Sequence, residues 1–399
     1  MTASRLLDEI AGVGRDRARG GYSRHAFDKV EGELRTWFAE RAGRLGLDVD
    51  TDRNGNLWAW WGTPGPDAVV TGSHLDSVPG GGAFDGPLGV VSALDAVESL
   101  QGKGFVPAKP FAVVVFVEEE GGRFGVPCLG SRLMTGSLDA DKARGLRDPN
   151  GVTLAEAAVQ AGFDPERFGA DPDALARIGR FVELHVEQGR GLIDLGAPVA
   201  VGSTVIAHGR WRFSFSGQGN HAGATLIGDR HDPMLPAAAM VAAARRLAIA
   251  TGDGRATVGR LVPVPGGTNA IASTVDLWLD ARVPSGDRTR TLVGEITEAA
   301  KEAARAEGCL VAVTEESYSD TVTFDSGLRD ELNARLGGVP ELPTGAGHDA
   351  AILAAHVPAA MLYVRNPTGV SHSPEEFAEV DDVDHGGRAL ADVLEHLST

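Results

Sequence analysis

Residues 111–121 read FAVVVFVEEEG, a run of seven apolar residues followed directly by three acids. Most of the apolar residues are β-branched or aromatic, which indicates a strand buried on both faces, as in a parallel sheet. Similar short apolar runs occur at 68–73, 180–186 and 359–364, and helical stretches such as 87–100 separate them. The sequence therefore predicts an α/β domain with a mostly parallel sheet.

Length, composition and charge exclude several classes of protein. The chain has 399 residues, of which 43% are hydrophobic and 23% charged, as in an ordinary soluble globular protein. Its net charge of −18 repels phosphate backbones and anionic lipids, so we predict no nucleic-acid and no membrane partner. The two cysteines, Cys128 and Cys309, cannot form a disulfide framework, and the N-terminus has no apolar signal segment. These features predict a cytoplasmic location.

The N-terminal part is predicted to be helical over residues 2–18 and 25–46. A β-hairpin should follow, because Asn54-Gly55 lies between a run ending at Val49 and one beginning at Leu57. The hairpin would add antiparallel strands beside the parallel ones.

The segment 205–317 has a different pattern from its surroundings. Trp211, Phe213 and Phe215 alternate with polar residues, which indicates a strand with one face in water. Further helices and strands are expected, in the order β-α-β-β-α-β, at 233–250, 256–263, 273–283, 288–307 and 309–315. That order is typical of a ferredoxin-like domain. We predict two domains, a discontinuous one of residues 1–204 and 318–399 and an inserted one of residues 205–317.

Side chains that can bind metals follow the predicted parallel strands. His74 and Glu118–Glu120 end two of the apolar runs, His185 lies at the end of a third, and His372 is in the loop after the last. Asp85 lies in a glycine-rich loop before a helix. Because ligands in open α/β sheets gather outside the carboxyl ends of the strands, we expect these side chains to meet at one edge.

Three histidines and two carboxylates exceed the ligands of a single catalytic zinc, but they fit two ions that share a bridging carboxylate. Asp76 is placed to hold the imidazole of His74, and one of the acids at 118–120 can act as a general base. A single His-x-Asp is common by chance, and a run of glutamates is usually a solvated surface. Their joint occurrence at strand ends favours a metal site.

Several motifs occur in a characteristic order: GSHLDSVPGGGAFDGPLGV from Gly72, EEEGGRFGVPCLGS from Glu118, ELHVEQG from Glu183, HAGAT from His221, TNAIAS from Thr268, DLWLDAR from Asp276, GAGHDA from Gly345 and SHSPEE from Ser371. On these motifs the chain resembles, over essentially its whole length, the amidase/hydantoinase–carbamoylase branch of the dinuclear-zinc exopeptidase superfamily. That branch contains allantoate amidohydrolases, N-carbamoyl-L-amino-acid amidohydrolases and β-ureidopropionases.

The resemblance implies a role for each metal ligand. His74 and His372 would bind opposite ions, Asp85 would bridge them, and Glu120 and His185 would be terminal ligands on one ion each. The expected cofactors are two divalent ions, Zn²⁺ or alternatively Mn²⁺, Co²⁺ or Ni²⁺.

The resemblance also assigns the remaining catalytic features. Glu119 would be the general base that takes a proton from the attacking water and returns it to the leaving nitrogen. In related sites the peptide bond after the bridging aspartate is cis, so we predict a strained Asp85–Gly86 bond.

The substrate residues implied by the resemblance lie mainly in the inserted domain, which would act as a lid and a dimerisation domain. His221 would stabilise the oxyanion, often from the partner subunit of a homodimer. Asn269 and Arg282 would hold the substrate carboxylate, for which a planar guanidinium is suited. On sequence alone, a strand-surface salt bridge is an equal reading of Arg282. Gln188 and His348 would line the ureido end of the site.

The implied activity is hydrolysis of the N-carbamoyl or ureido group of a small carboxylic acid. The expected substrate is allantoate or an N-carbamoyl-L-amino acid, and the resemblance favours allantoate. One rival is an aminopeptidase or dipeptidase of the same superfamily, against which HVEQG and TNAIAS argue. The other is a catalytically silent binding or scaffold protein, which should have lost a ligand or the base. Two departures from the family, Gly122 and Cys128, touch no proposed ligand, and Cys128 is interpreted as a small buried hydrophobe.

Overall fold

The computed structural model describes residues 2–399, which form two compact units. One unit holds the chain up to Thr204 together with Thr323–Thr399, and the other holds Val205–Val322. The predicted return to the first domain at residue 318 falls earlier than this, inside a strand that continues to Ser319. The strand continues because an irregularity in its pairing between Glu315 and Ser317 shifts the register without ending it.

The strands are numbered along the described chain. They are β1 (Asp48–Thr51), β2 (Leu57–Trp61), β3 (Ala68–His74), β4 (Phe111–Phe116), β5 (Ile178–Val186), β6 (Val199–Val205), β7 (Ala207–Ser216), β8 (Asn220–His221), β9 (Arg255–Val264), β10 (Ala270–Ile271), β11 (Thr274–Val283), β12 (Leu310–Ser319), β13 (Val322–Thr323), β14 (Glu341–Thr344) and β15 (Ala359–Val364).

The helices are numbered in the same way. They are α1 (Ala3–Ile10), α2 (Lys29–Arg44), α3 (Pro87–Gly102), α4 (Leu129–Thr135), α5 (Ala140–Arg144), α6 (Leu154–Gln160), α7 (Pro172–Leu175), α8 (Gly191–Leu195), α9 (Met234–Thr251), α10 (Gly286–Ala306), α11 (Ser326–Arg335), α12 (Asp349–Leu353) and α13 (Val380–Leu397).

The main sheet has the strand order β1-β2-β4-β3-β5-β15-β6-β13, and β14 pairs with β6. Its central strands β4, β3, β5 and β15 are mutually parallel, which confirms the mostly parallel sheet. Every residue of β4 is buried, as expected for a strand with helices on both faces. Helix α3 begins at Pro87, where a proline fits the first turn, and most of its residues are buried in the same core.

The N-terminal elements follow the sequence-based prediction only in part. The hairpin at Asn54-Gly55 is confirmed, because β1 pairs antiparallel with β2. The prediction of one helix over 2–18 is wrong, since α1 ends at Ile10. Gly14 has a left-handed backbone with φ of +76°, and a Cβ there would lie 2.7 Å from Cγ of Arg24. The chain turns at this glycine where a helix would have continued.

The second unit contains an antiparallel sheet with the order β12-β7-β11-β9. Its elements succeed one another as β7-α9-β9-β11-α10-β12. Trp211, Phe213 and Phe215 point into the core of this unit, as the alternating pattern predicted. Met240 from α9 and Ile296 from α10 belong to the same core, so both helices cover one face of the sheet.

Within residues 2–399 one helix, α9, is long and apolar enough to cross a membrane by length and composition alone. The core helix of a soluble protein meets the same two criteria. Ala237, Met240 and Ala244 place α9 in the core of the second unit, and Arg245 and Arg246 lie along it. Only 33% of its apolar stretch is buried, so part of an apolar helix face is exposed.

Candidate metal centre

The carboxyl ends of the four central parallel strands lie at the same edge of the main sheet. His74 ends β3, Glu119 and Glu120 follow β4, and His185 is the penultimate residue of β5. His372 lies in the loop after β15, where its backbone is left-handed with φ of 55°. The strand pairing thus assembles the ligand candidates that are far apart in the sequence.

Two groups of side chains that could each hold a metal ion share Asp85. In the first, Oδ1 of Asp85 lies 3.5 Å from Nε2 of His74 and 3.2 Å from Nε2 of His185. In the second, Nε2 of His372 lies 3.6 Å from Oδ2 of Asp85 and 3.2 Å from Oε2 of Glu120. Each oxygen of Asp85 therefore faces a different group, which is the arrangement of a bridging carboxylate.

The distances within these groups suit ligands of a common ion. Two ligand atoms bound about 2.1 Å from a tetrahedral ion are about 3.4 Å apart. Among the described residues, the buried Nε2 of His74 has no hydrogen-bond partner, although it faces both Asp85 and Glu119. A buried polar atom without a partner is costly, and a cation between these groups would satisfy it.

Hydrogen bonds at Nδ1 orient the rings of the two buried histidines. Nδ1 of His74 lies 3.0 Å from the carbonyl oxygen of Asp76, and Nδ1 of His185 lies 2.9 Å from that of Val186. Because a carbonyl oxygen can only accept, each Nδ1 carries the hydrogen and donates it. Each Nε2 therefore faces Asp85 and is the ring nitrogen that remains available to a metal, as in most metal-binding histidines.

The carboxylate of Asp76 makes a contact that the sequence did not indicate. Its Oδ1 lies 3.5 Å from Nδ1 of His74, farther than the carbonyl of the same residue. Both carboxylate oxygens instead accept backbone N–H groups, Oδ1 from Glu119 and Oδ2 from Glu120, each at 3.1 Å. Asp76 thus fixes the backbone that carries the base candidate and a ligand candidate.

The three acids after β4 differ in their surroundings. Glu118 accepts the backbone N–H groups of Arg123 and Phe124 at 2.9 and 2.6 Å, so it ties the following loop to the strand end. Glu120 faces the second metal group. Glu119 is buried, and its Oε2 lies 3.6 Å from Nε2 of His74, beside the ligands. Its position suits a general base that is close to a bound metal without belonging to either ligand group.

The buried carboxyl groups at this edge of the main sheet have shifted pKa values. Burial raises the pKa of Glu119 well above its usual range and also raises the pKa of Glu120. Burial alone would raise the pKa of Asp85, but the imidazoles of His185 and His74 hold it well below its usual range. Carboxylates crowded in this way favour the binding of cations, which compensate their charge.

Two predicted substrate residues lie beside the ligand candidates. Nε2 of Gln188 donates to Oδ2 of Asp85 at 2.8 Å and to Oγ of Ser371 at 3.1 Å. The ring of His348 is buried and its centroid lies 4.5 Å from that of His185. Burial, and then the neighbouring His185, lowers the pKa of His348 well below its usual range, so this imidazole is neutral and able to donate a hydrogen bond.

The other predicted substrate residues belong to the second unit. His221 and Asn269 are exposed, and the short strands β8 and β10 place them together by pairing His221 with Ala270. The guanidinium of Arg282 donates from Nε and NH2 to the two oxygens of Asp280, at 2.7 and 2.9 Å. The strand-surface salt bridge considered for Arg282 is therefore present, and the bidentate contact fixes the direction of its side chain.

These residues lie at opposite ends of one sheet. Strand β11 starts at Thr274, next to the paired strands that carry His221 and Asn269, and Arg282 is near its other end. At about 3.4 Å per residue, Thr274 and Arg282 are about 27 Å apart. Asn269 lies beyond the Thr274 end of β11, whereas Arg282 is near the other end of that strand.

The predicted cis peptide bond between Asp85 and Gly86 is wrong. Among residues 2–399 the cis bond found is Val264–Pro265. Gly86 instead turns the chain with φ of +81°, a left-handed conformation that glycine adopts without strain. A Cβ at this position would lie 2.4 Å from the ring of His74, so only glycine fits against the ligand.

Two residues of the last motif that hold Asp85 in position were not singled out from the sequence. Oε1 of the buried Glu376 accepts the backbone N–H groups of Phe84 and Asp85, at 2.9 and 3.0 Å. A Cβ on Gly82 would collide with the same carboxylate. Oγ of Ser371 donates to Oδ2 of Asp85 at 3.1 Å. Both residues belong to SHSPEE, so the motif that identified His372 also contained them.

A buried acid inside β5 was also missed. Glu183 accepts a hydrogen bond from Oγ of Ser73 at 2.8 Å and from the backbone N–H of Ala350 at 3.0 Å. With His185 and His348 it forms a third group of metal-capable atoms. Since His185 already directs Nε2 to Asp85 and Nδ1 to a carbonyl, we interpret Glu183 as a support for the neighbouring loops. A charged residue within a buried strand was the available signal.

Comparison with known proteins shows the family to which the chain belongs. A family model described as Peptidase family M20/M25/M40 matches residues 70–396. The chain therefore belongs to the M20/M25/M40 peptidase family.

Individual relatives show which branch of this family the chain resembles most in its sequence and fold. The chain is 38% identical to an N-carbamoyl-L-amino acid amidohydrolase of Geobacillus stearothermophilus, over 96% of this chain and 95% of the relative. It is 31% identical to an allantoate amidohydrolase of Bacillus subtilis, over 96% and 94%. A crystal structure of a hydantoinase/carbamoylase family amidase from Burkholderia vietnamiensis superposes with a TM-score of 0.89 at 28% identity, covering 99% and 97%. The predicted resemblance to the hydantoinase/carbamoylase branch is confirmed.

Proposed function

We propose that this protein is a metal-dependent amidohydrolase that cleaves the N-carbamoyl or ureido group of a small carboxylic acid. The observation that carries the proposal is Asp85, whose two oxygens face two groups of ligand atoms, with Glu119 beside them. The named activities of the two relatives above support a ureido rather than a peptide substrate. The complete set of ligands and base argues against a silent scaffold protein.

We further propose that the site holds two divalent cations, one in each group. Imidazole and carboxylate ligands accept Zn²⁺, Mn²⁺, Co²⁺ or Ni²⁺, and Nε2 of His74 and His185 would bind any of these. When bound, such a pair of ions lowers the pKa of water and polarises the oxygen of the group under attack.

The chain itself supplies the proton transfers. In the proposed reaction Glu119 accepts a proton from the attacking water as its oxygen bonds to the carbamoyl carbon. Glu119 then gives that proton to the leaving nitrogen, and the C–N bond breaks. The carbamic acid that remains then loses carbon dioxide, which breaks the second C–N bond, so water and a ureido acid together yield an amine, ammonia and carbon dioxide. Neutral His348 and Gln188, which lie beside His185 and Asp85, would hydrogen-bond the ureido end.

We propose a homodimer in which the second unit, a ferredoxin-like domain, serves as both lid and dimerisation domain. The strand order β12-β7-β11-β9 and the element succession of this unit support the ferredoxin-like topology. The separation of about 27 Å between the two ends of β11 supports a site built from two copies. In that site, Arg282 of one subunit would hold the substrate carboxylate while His221 and Asn269 would come from the partner.

The outer surface of the second unit supports the same proposal. Strand β9 is at the edge of its sheet, and Leu261 and Val264 on it are exposed. On helix α9 the apolar residues Leu235, Val241 and Ile249 are exposed as well. An open strand edge beside an exposed apolar helix is a surface that a second copy commonly covers.

The activity is tested by ammonia release from protein loaded separately with Zn²⁺ and Mn²⁺. Four substrates suffice: N-carbamoyl-L-alanine, allantoate, N-carbamoyl-β-alanine and a dipeptide scored by free amine. The higher identity to the carbamoyl-amino-acid relative favours N-carbamoyl-L-alanine over allantoate, the substrate favoured in the sequence analysis. Cleavage of the dipeptide alone would overturn the proposal and identify a peptidase. The cytoplasmic location stays a prediction.

The shared site is tested by mixing two inactive variants, Glu119→Gln and His221→Ala, under conditions that let subunits exchange. If His221 acts in the partner's site, each mixed dimer regains one intact site, and about a quarter of the wild-type activity returns at equal amounts. If His221 acts within its own subunit, both sites of the mixed dimer stay defective. No recovery despite proven exchange would contradict the proposal.

A further inference from the structure

The thiol of Cys128 contacts the carboxylate of Glu119. Sγ of Cys128 lies 3.3 Å from Oε1 of Glu119, in a region closed to water, and Cys128 is only 2% exposed. Within residues 2–399 this is the one hydrogen bond that the Glu119 carboxylate accepts. The other oxygen, Oε2, faces Nε2 of His74. The two oxygens of Glu119 thus have separate surroundings, one a thiol and one the ligand groups.

The backbone holds Cys128 in this position. Its N–H donates to the carbonyl oxygen of Glu119 at 2.6 Å, and the next N–H, of Leu129, donates to that of Glu118 at 3.1 Å. Cys128 is left-handed, with φ of 53°, directly before helix α4. Oγ of Ser131 donates to its carbonyl at 3.2 Å. The side chain is therefore directed at Glu119 by a backbone that is itself bonded to Glu119.

The thiol keeps its hydrogen and can donate it. Burial, and then the nearby carboxylate of Glu119, raises the pKa of Cys128 well above its usual value. A thiol that stays protonated is a weak donor, and a carboxylate is a good acceptor. The thiolate, which would repel Glu119, is the disfavoured form.

From this geometry we propose that Cys128 is a positioning residue for the general base. Its S–H donates to Oε1 of Glu119, restricts the rotation of the carboxylate and keeps Oε2 turned towards the metal ligands. This inference rests on the proposed role of Glu119. It replaces the reading of Cys128 as merely a small buried hydrophobe, which would require no donor at this position.

Two variants of Cys128 distinguish a hydrogen-bond donor from a small buried hydrophobe, because the variant side chains differ only in a hydroxyl group. Cys128→Ser keeps a donor, whereas Cys128→Ala removes it, and both tolerate the left-handed backbone better than a β-branched residue would. We expect kcat to fall about threefold or more in the alanine variant and to stay within about twofold of wild type in the serine variant, as for loss of one hydrogen bond from a weak donor. KM and metal content should be unchanged in both.

The matched control is Cys309, the second buried cysteine, whose thiol donates to the carbonyl of Glu307 at 3.5 Å. Cys309→Ser and Cys309→Ala should leave kcat unchanged. Equal kcat for Cys128→Ala and wild type, or a lower kcat for Cys128→Ser than for Cys128→Ala, would overturn the proposal.

A spectroscopic measurement tests the contact without using activity. In a Cys309→Ala background the infrared S–H stretching band comes from Cys128 alone, and a hydrogen bond lowers its frequency. Adding Glu119→Ala should shift the band to higher frequency. An unshifted band would show that the contact is absent and would overturn the inference. A shifted band with normal turnover of Glu119→Gln would keep the contact but reject Glu119 as the base.

Discussion

The metal-ligand edge of the first unit and the polar residues of the second unit are built in opposite ways. His74, Asp85 and His185 are buried, and each is held by other parts of the first unit. His221 and Asn269 are exposed on a short two-stranded sheet. All ligand candidates of the first region come from one chain. The proposed role of His221 and Asn269, in contrast, requires a partner subunit.

The difference has a physical cause. Parallel strands bring their carboxyl ends to one edge by pairing alone, so four segments distant in sequence need no further partner to form the ligand groups. The crowded carboxylates at that edge are stabilised by histidines and hydrogen bonds, and the proposed cations would stabilise them further. Residues at the two ends of a single long strand, such as Thr274 and Arg282, stay apart by the length of that strand.

The largest effect is expected in the first region, from Glu119→Gln. Glutamine is similar in size but cannot take up the proton of the attacking water. We expect kcat to fall about 10²- to 10⁴-fold, the usual contribution of a general base. The metal content by elemental analysis should be unchanged, because Glu119 belongs to neither ligand group. Normal turnover would reject the base assignment, and loss of metal would make Glu119 a ligand instead.

A smaller effect is expected in the second region, from Arg282→Ala. Loss of charge-assisted hydrogen bonds to a substrate carboxylate should raise KM about 10- to 100-fold with little change in kcat. The matched control is Arg210→Ala, since Arg210 also faces Asp280, with Nε 3.7 Å from Oδ2. An equal rise of KM in both variants would mean that Asp280, and not a substrate, is the partner that matters.

More of the first region than of the second could be predicted from the sequence. Apolar runs that end in acids and histidines predicted the parallel strands and their shared edge, because strand polarity fixes where their ends lie. The same reasoning gave no information about the distance between Asn269 and Arg282, because motif order does not carry it. It missed Glu376 because a buried carboxylate that accepts backbone N–H groups has no signature of its own. The helix over 2–18 failed at Gly14, whose close contact with Arg24 arises from the tertiary structure.

The smallest effect is expected from Glu376→Gln, a change in a residue that holds the backbone of Asp85. Glu376→Gln leaves one oxygen to accept the N–H groups of Phe84 and Asp85 but removes the ionisable carboxyl group near Asp85. We expect the affinity for metal to fall about tenfold, at the lower end for residues that orient metal ligands, as measured by competition with a chelator. The control is Glu375→Gln, an exposed neighbour that bonds to Ser373. If both variants lose affinity equally, the effect is one of local charge; if only Glu376→Gln does, the backbone of Asp85 is held in place by that carboxylate.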